Sequence, residues 1–457
     1  MIANNRNMPY SVFSTALSSV YPWIIVLCGM LFYCFNYFLR ISPGVMQADL
    51  TQAFHINATE FGFLACLYYW AYTPMQVPAG MIYDKFGARS VLCLAVLIAI
   101  SGLILFISAD SYLIAGAGRF LIGLGCAFSY IGILKLASIW LPANRFATVA
   151  GLATAVGMFS GYVTNKYLPH IVDTVGYQEA LRAAIMVGLA LCTVLFFVVR
   201  SRPKNCQSIN SNLMHTPVNL KQLFSALKVI AQNRQMWLIG AIGCLLYLPS
   251  SVFIDLWGIS YLKVVYNLDR VQAAGLNNWT LLGWIISGPI VGWISDKIHL
   301  RVLPLTLTGF FAAALLCVVF YVPNLNTDWF PALFFLIGFG LGAHPLCFAL
   351  GKETNSIQMS GTSVAFTNML IMLGGMLFQP IAGKLLDLHA SGALGADGLP
   401  IYTASDYTYA LSIVPVGVAI GIFLSLFLKE THCRQLKDVE EDTFQPIRLE
   451  TQTEAAS

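Results

Sequence analysis

Long apolar runs separated by short polar connections make up most of the chain, and runs of about 20 residues predict helices that cross a hydrocarbon layer about 30 Å thick. Six such runs fall at Pro22 to Val45, Phe61 to Tyr83, Val91 to Ser108, Tyr112 to Leu134, Phe146 to Tyr162 and Ala180 to Val199. One long polar interruption follows, Arg200 to Gln235, holding RSRPK and an amphipathic LKQLFSALKVIAQN stretch. Six further runs span Met236 to Leu262, Ala273 to Ser295, Leu303 to Val322, Phe330 to Gly351, Ser363 to Lys384 and Tyr407 to Leu428. From Lys429 the chain turns polar, with Glu440, Glu441 and Asp442, and reads as a disordered tail. Ahead of Pro22 there is no short apolar core with a small-residue cleavage site, so the first run is expected to be retained.

Composition narrows the class. Of 457 residues 58% are hydrophobic and only 10% charged, against about 25% charged in soluble proteins. That excludes a secreted domain, a nucleic-acid binder and an ordinary cytosolic enzyme. The net charge of +4 gains meaning only when the 25 Lys and Arg are sorted by connection. Seventeen fall on one side: Arg6, Lys85, Arg89, Arg145, six in the central interruption, Lys297, Arg301, Lys352 and four in the tail. Five fall on the other, namely Lys166, Arg182, Lys263, Arg270 and Lys384. Positive residues collect in cytoplasmic loops, so both termini and the central linker are expected in the cytoplasm. The eleven cysteines stand apart with no CxxC pair, as small hydrophobes do.

The two halves repeat. Gly80-MIY-Asp84-Lys85, with Arg89 beyond, is matched by Gly292-WIS-Asp296-Lys297, with Arg301 beyond, at an offset of 212 residues. RFLIGLG from Arg119 is matched by FFLIGFG from Phe334 at an offset of 215. A duplicated six-helix unit is the repeat logic of secondary transporters. The predicted fold is thus an all-α membrane protein of twelve transmembrane helices in two pseudo-symmetric six-helix bundles. Its expected boundaries are a cytoplasmic N-terminus (1–21), bundles at 22–199 and 236–428, a cytoplasmic linker (200–235) and the tail (429–457).

GMIYDKFGARS from Gly80 resembles the signature between helices 2 and 3 of the major facilitator superfamily, with Gly80, Asp84, Lys85, Gly87 and Arg89 in place. Arg119 with Gly123 and Gly125 resembles that family's helix 4 motif, and Trp140-Leu-Pro-Ala-Asn-Arg145 its helix 4 to 5 connection. The resemblance implies alternating access and a gating role for Asp84, Lys85 and Arg89, with Asp296 and Arg301 as a weaker copy. More finely, Asn36-YFL-Arg40-I-Ser42-Pro43, Glu353-Thr-Asn355, and Asn368, Gly374, Gly375, Gln379 and Pro380 resemble the phagosomal transporters of intracellular bacteria, which implies import of amino acids and related nutrients. An Arg in helix 1 together with one in helix 4 is also similar to the anion:cation symporters, whose helix 1 Arg holds a substrate carboxylate. Those symporters often place an acid just before that Arg, where this chain has Leu39.

Ionisable groups inside spans are costly and therefore candidates for function. Arg40 lies about 27 Å along the first helix from Pro22, and Asn36, Tyr37 and Arg40 share a face. Its guanidinium suits a carboxylate; the alternative is an Arg reaching the outer headgroups. Asp255 lies about 28 Å along the seventh helix, and the repeat offset maps it onto Pro43, one turn from Arg40. The two charges are expected to meet as an outer gate or to grip the ends of a zwitterion, and Asp255 could also carry a proton. Tyr68, Tyr72 and Gln76 form a polar stripe, either cavity lining or interhelical glue. Arg119 reads equally as a substrate or coupling group and as an organiser of the first half. His344, beside Pro345, and Asn368 complete the candidate substrate site. No catalytic constellation, metal-ligand spacing or cofactor box appears. The expectation is a monomeric, proton-coupled carrier in the bacterial inner membrane. It would move a small carboxylate-bearing nutrient, foremost an amino acid, with another organic anion or a siderophore as the alternative, and would have lipid but no nucleic acid as a partner.

Overall fold

The structure, a computed structural model, describes residues 10–142, 145–200, 220–323 and 325–435. Arg6 and the acidic tail at Glu440, Glu441 and Asp442 lie outside the described residues, as do Ala143 and Asn144 of the connection after Trp140.

Six long helical segments build each half, and a short helix, Gln47–Phe54, follows the first of them. The first half holds α1 (Tyr10–Val45), α2 (Ala58–Met75, continued by Ala79–Phe86), α3 (Ala88–Ile107), α4 (Tyr112–Cys126, continued by Ser129–Trp140), α5 (Phe146–Val175) and α6 (Tyr177–Val198). A linker helix, Leu220–Gln232, follows on the amphipathic stretch. The second half holds α7 (Arg234–Leu246, a π-helical Pro249–Trp257, then Gly258–Tyr266), α8 (Arg270–Ile298) and α9 (Val302–Tyr321). It ends with α10 (Phe330–Leu341 and Leu346–Glu353), α11 (Ser360–His389) and α12 (Ala404–Leu411 and Ile413–Ser425). Several helices outrun their apolar runs: α1 starts at Tyr10 rather than Pro22, and α5 continues past Tyr162 to Val175. A helix end beyond the hydrocarbon needs no apolar side chains, so hydropathy sees only the buried part.

The duplication is visible in the backbone. The α2–α3 turn is made by Gly87 at φ 80°, and its counterpart 212 residues on, His299, makes the α8–α9 turn at φ 55°. Gly87 pairs its positive φ with ψ 149°, a conformation open to glycine, whereas His299 sits in the left-handed region at ψ 34°, which a side chain enters at modest cost. Capping boxes start α2 (Asn57 with Glu60), α8 (Asp269 with Gln272) and α12 (Thr403 with Asp406).

Among the described residues nine helical segments are long and apolar enough to span a membrane. The other three are α2, α5 and α8, and α11 qualifies with the lowest mean hydropathy, 1.6. The reason is packing: α2 lies along α11 and α5 along α8, so these four form the seam between bundles, while α1 crosses α7. Their buried polar residues turn inward, some across the seam, as Asn368 does to Gln76, and others into their own bundle, as Tyr68 does to Asn36.

The seam is tight at one end. A β-carbon on Gly62 of α2 would stand 2.6 Å from the Gln379 carbonyl oxygen of α11, and one on Gly44 of α1 would stand 2.6 Å from that of Asp255. At the end carrying the linker helix, termed here the linker face, glycines of the same four seam helices (Gly80, Gly151, Gly292 and Gly361) have no atom within 4 Å of that position.

Candidate functional site

Where α1 crosses α7, Arg40 meets Asp255. Arg40 Nε lies 3.2 Å from Asp255 Oδ2, and each side chain is 3% exposed. Nε has no aligned hydrogen-bond acceptor, so this contact is ionic, while Nη2 donates to the Tyr247 hydroxyl at 3.1 Å. The Tyr37 ring lies under the guanidinium, 4.0 Å from ring centre to Cζ. Tyr69 of α2 donates to Asp255 Oδ2 at 2.9 Å. Asp255 projects from the π-helical stretch Pro249–Trp257. The extra residue per turn in such a stretch redirects side chains, and π segments frequently occur at functional sites. The pair joins the two bundles in a dry environment, where desolvation of each ion offsets much of the attraction and removal of either partner strands the other.

Between this centre and the tight end, three further sets of polar contacts join the bundles. Arg270 of α8 lies 3.0 Å from Asp49 and 3.1 Å from Asp173, both in the first half. Asp387 at the end of α11 accepts from the Ala58 amide at 3.3 Å, the Thr59 amide at 2.8 Å and the Thr59 hydroxyl at 2.5 Å, and Tyr402 also donates to it. A carboxylate on the first amides of α2 is favoured by the helix dipole as well as by the bonds. Ser260 donates to Gln47. Toward the linker face, Asn368 of α11 donates to Gln76 of α2 at 2.9 Å. Beyond it, the ion pairs among the described residues stay within one half.

The other expected residues divide clearly. Asn36, Tyr68 and Tyr72 form one network inside the first half: Asn36 donates to Ser129 at 2.8 Å, Tyr68 donates to Asn36, and Tyr68 stacks on Tyr72 at 5.4 Å. Arg119 is 3% exposed and turned toward backbone, donating to the Leu39 carbonyl at 3.0 Å and the Ala65 carbonyl at 3.3 Å. It fastens α4 to the turn of α1 that carries Arg40. His344 stacks on Tyr247 at 5.0 Å, beside the Arg40 centre.

The signature loops pair otherwise than the repeat suggests. Asp84 is bonded to Lys135 of α4, Lys85 lies 5.1 Å from the Phe86 ring centre, and Arg89 stacks over Phe196 at 4.2 Å, so Asp84 and Arg89 make no ion pair with each other. In the second copy Arg301 bonds Asp296 at 2.6 Å and Glu353 at 2.8 Å. Burial pulls against its charge, but bonds to Glu353 and Asp296 hold the Arg301 guanidinium well above its ordinary pKa. The copy expected to be weaker thus carries the fuller ionic network here, because Glu353 on α10 supplies a second acid.

Sequence reasoning did not find Tyr69, Tyr247 or Trp284. Tyr69 sits one residue off the Tyr68 stripe, and nothing local marks the other two. The ten cysteines among the described residues are unpaired, and no three His, Cys, Asp or Glu side chains there are placed to hold a metal.

The family model for the Major Facilitator Superfamily matches residues 25–379. The uncharacterized transporter YybO of Bacillus subtilis is 24% identical over 402 residues, covering 83% of this chain and 88% of that protein. The probable galactarate/D-glucarate transporter GudP of Escherichia coli is 23% identical over 389 residues, covering 79% and 85% respectively. Among solved structures, a bacterial homolog of the human lysosomal transporter Spinster, in an inward-facing and unoccupied conformation, superposes with a TM-score of 0.70 at 14% identity, covering 89% of this chain and 95% of that one.

Proposed function

The chain belongs to the Major Facilitator Superfamily, and from that premise we propose that it carries a small organic anion across the bacterial inner membrane, with Arg40 as the carboxylate anchor. It is a transporter and not an enzyme. The single observation that carries the proposal is the buried Arg40–Asp255 pair, held between two bundles that must part during alternating access. A guanidinium at the seam, already holding one carboxylate, is shaped to hold another. The relative named a probable galactarate/D-glucarate transporter bears the names of two dicarboxylates, which supports the same chemistry.

The cycle follows from that exchange. With the tight end open, a substrate carboxylate displaces Asp255 from Arg40. Asp255, separated from its counter-ion, takes a proton before the bundles close and the site dries, so anion and proton cross together. Closure rebuilds the Arg270 clasp and the Asp387 contacts, and the substrate and the Asp255 proton leave toward the linker face as Arg40 returns to the Asp255 carboxylate. The sorting of Lys and Arg supports a cytoplasmic linker face and termini, which makes the described arrangement the inward-facing one. The moving bodies are 22–199 and 236–428, and since one chain supplies both sides of the site, the working unit is a monomer.

One feature favours a second reading, import of an amino acid as in the phagosomal group that the sequence resembles: Arg40 and Asp255 present opposite charges to the two ends of a zwitterion. Proteoliposomes with and without an inward proton gradient, offered labelled D-glucarate, tartrate, sulfoacetate and neutral amino acids, separate the two. Proton-stimulated uptake of an anion that unlabelled amino acids do not inhibit is expected. Uptake confined to amino acids, or no anion uptake under either condition, overturns the proposal.

A further inference from the structure

Beside Arg40, in the second bundle, three rings on three helices close on one another. Tyr247 of α7 stacks on His344 of α10 at 5.0 Å, and Trp284 of α8 meets both edge-on at 5.8 and 5.7 Å. Phe348 stands against His344 at 5.8 Å. Trp284 is 3% and His344 6% exposed, yet Trp284 Nε1 and His344 Nε2 have no hydrogen-bond partner. The box shares a wall with the anion centre, because the Tyr247 hydroxyl accepts from Arg40 at 3.1 Å.

Each buried polar atom left unpaired costs about 1–3 kcal/mol, and phenylalanine at both positions would fill similar space without that cost. Two such atoms on rings 5.7 Å apart, next to a ligand-anchoring Arg, mark a place where a ligand completes the bonding. Their chemistry restricts the ligand. An indole N–H only donates; the other ring nitrogen of His344 donates to the Gly243 backbone carbonyl, which leaves Nε2 as the unprotonated nitrogen of a neutral imidazole, and that nitrogen only accepts. A carboxylate has no proton to give the imidazole and an ammonium has no lone pair for the indole. A hydroxyl does both, accepting from Trp284 and donating to His344.

We propose that Tyr247, Trp284 and His344 form a hydroxyl-recognising subsite that makes the carrier select hydroxycarboxylates over the same acids without hydroxyls. This rests on the organic-anion reading above, with Arg40 holding the carboxylate, and adds what reads the rest of the substrate. A site built to bond a hydroxyl discriminates strongly against analogues lacking it, since its polar groups are then left bare.

The test is calorimetric binding of two matched pairs, tartrate with succinate and D-glucarate with adipate, to the full-length protein in detergent. Wild type is expected to prefer the hydroxylated member of at least one pair by about tenfold or more. Trp284→Phe and His344→Phe should each collapse that ratio severalfold, while His344→Gln, which keeps an acceptor and a donor, should retain most of it. Arg40→Lys should weaken both members of a pair together and leave the ratio. Because the ratio is read within each variant, general loss of affinity does not imitate the effect. Equal binding of hydroxylated and plain acids by wild type, or an unchanged ratio in both phenylalanine variants, overturns the subsite while leaving the anion reading standing. Binding of none of the four acids by wild type overturns the anion reading and the subsite with it.

Discussion

Replacing Asp255 with Asn keeps the shape of the side chain and removes its charge, which isolates the contribution of the seam ion pair. Arg40 and Asp255 approach to 3.2 Å with each side chain 3% exposed, so in the variant the guanidinium is left buried without a counter-ion. Breaking a buried pair from one side costs about 3–5 kcal/mol. Arg40 keeps the Tyr247 hydroxyl and the face of Tyr37, which places the loss at the lower end, about 3 kcal/mol. That cost falls on the closed arrangement alone, because parting the bundles at the tight end admits water to Arg40. At about 1.4 kcal/mol per factor of ten, the closed-to-open ratio shifts roughly a hundredfold toward open. Spin labels at the exposed positions Ala53 and Ser391, one on each half at the tight end, report the separation by pulsed dipolar spectroscopy in nanodiscs. The variant should show a longer distance as its main population, and a saturating carboxylate substrate should restore the short one by replacing the lost counter-ion. A distance distribution matching wild type refutes the reasoning.

The remaining predictions concern the elements around that pair. Asp387→Asn removes the charge behind the bonds to the Ala58 and Thr59 amides, at a cost of about 1.5–3 kcal/mol, and the same label pair should show at least tenfold more open state. Gly62→Ala places a methyl 2.6 Å from the Gln379 carbonyl oxygen, so transport should fall at least tenfold with the labels held apart, while Gly361→Ala, in open space, leaves the label distance unchanged. Arg119→Lys cannot reach both the Leu39 and Ala65 carbonyls with one compact ammonium; the turn carrying Arg40 loosens and KM for uptake should rise severalfold with a smaller change in kcat.

Periodicity and the internal repeat read the helices well, because a bilayer demands long apolar segments and a duplicated chain turns at matching positions, as at Gly87 and His299. They failed at helix ends such as Tyr10 and Val175, where no hydrocarbon constrains the side chains. Arg40 and Asp255 were legible as candidates because a charge in a span is costly, and the repeat offset placed them at one depth. Tyr69, Tyr247 and Trp284 were not legible, since aromatic residues in apolar helices are common and only the meeting of α1, α2, α7 and α8 assembles them. For Arg119 the sequence left a substrate or coupling group and an organiser of the first half equally open, and the direction of its donors, to the Leu39 and Ala65 carbonyls, is a contact that a one-dimensional pattern does not encode.

The central claim is that Arg40 exchanges Asp255 for the carboxylate of the substrate, and titration calorimetry with D-glucarate on wild type, Asp255→Asn and Arg40→Met tests it most directly. Exchange predicts that Asp255→Asn binds the anion more tightly than wild type, since the internal competitor is gone, and that Arg40→Met binds none. Weaker anion binding in Asp255→Asn, or undiminished binding in Arg40→Met, contradicts the account.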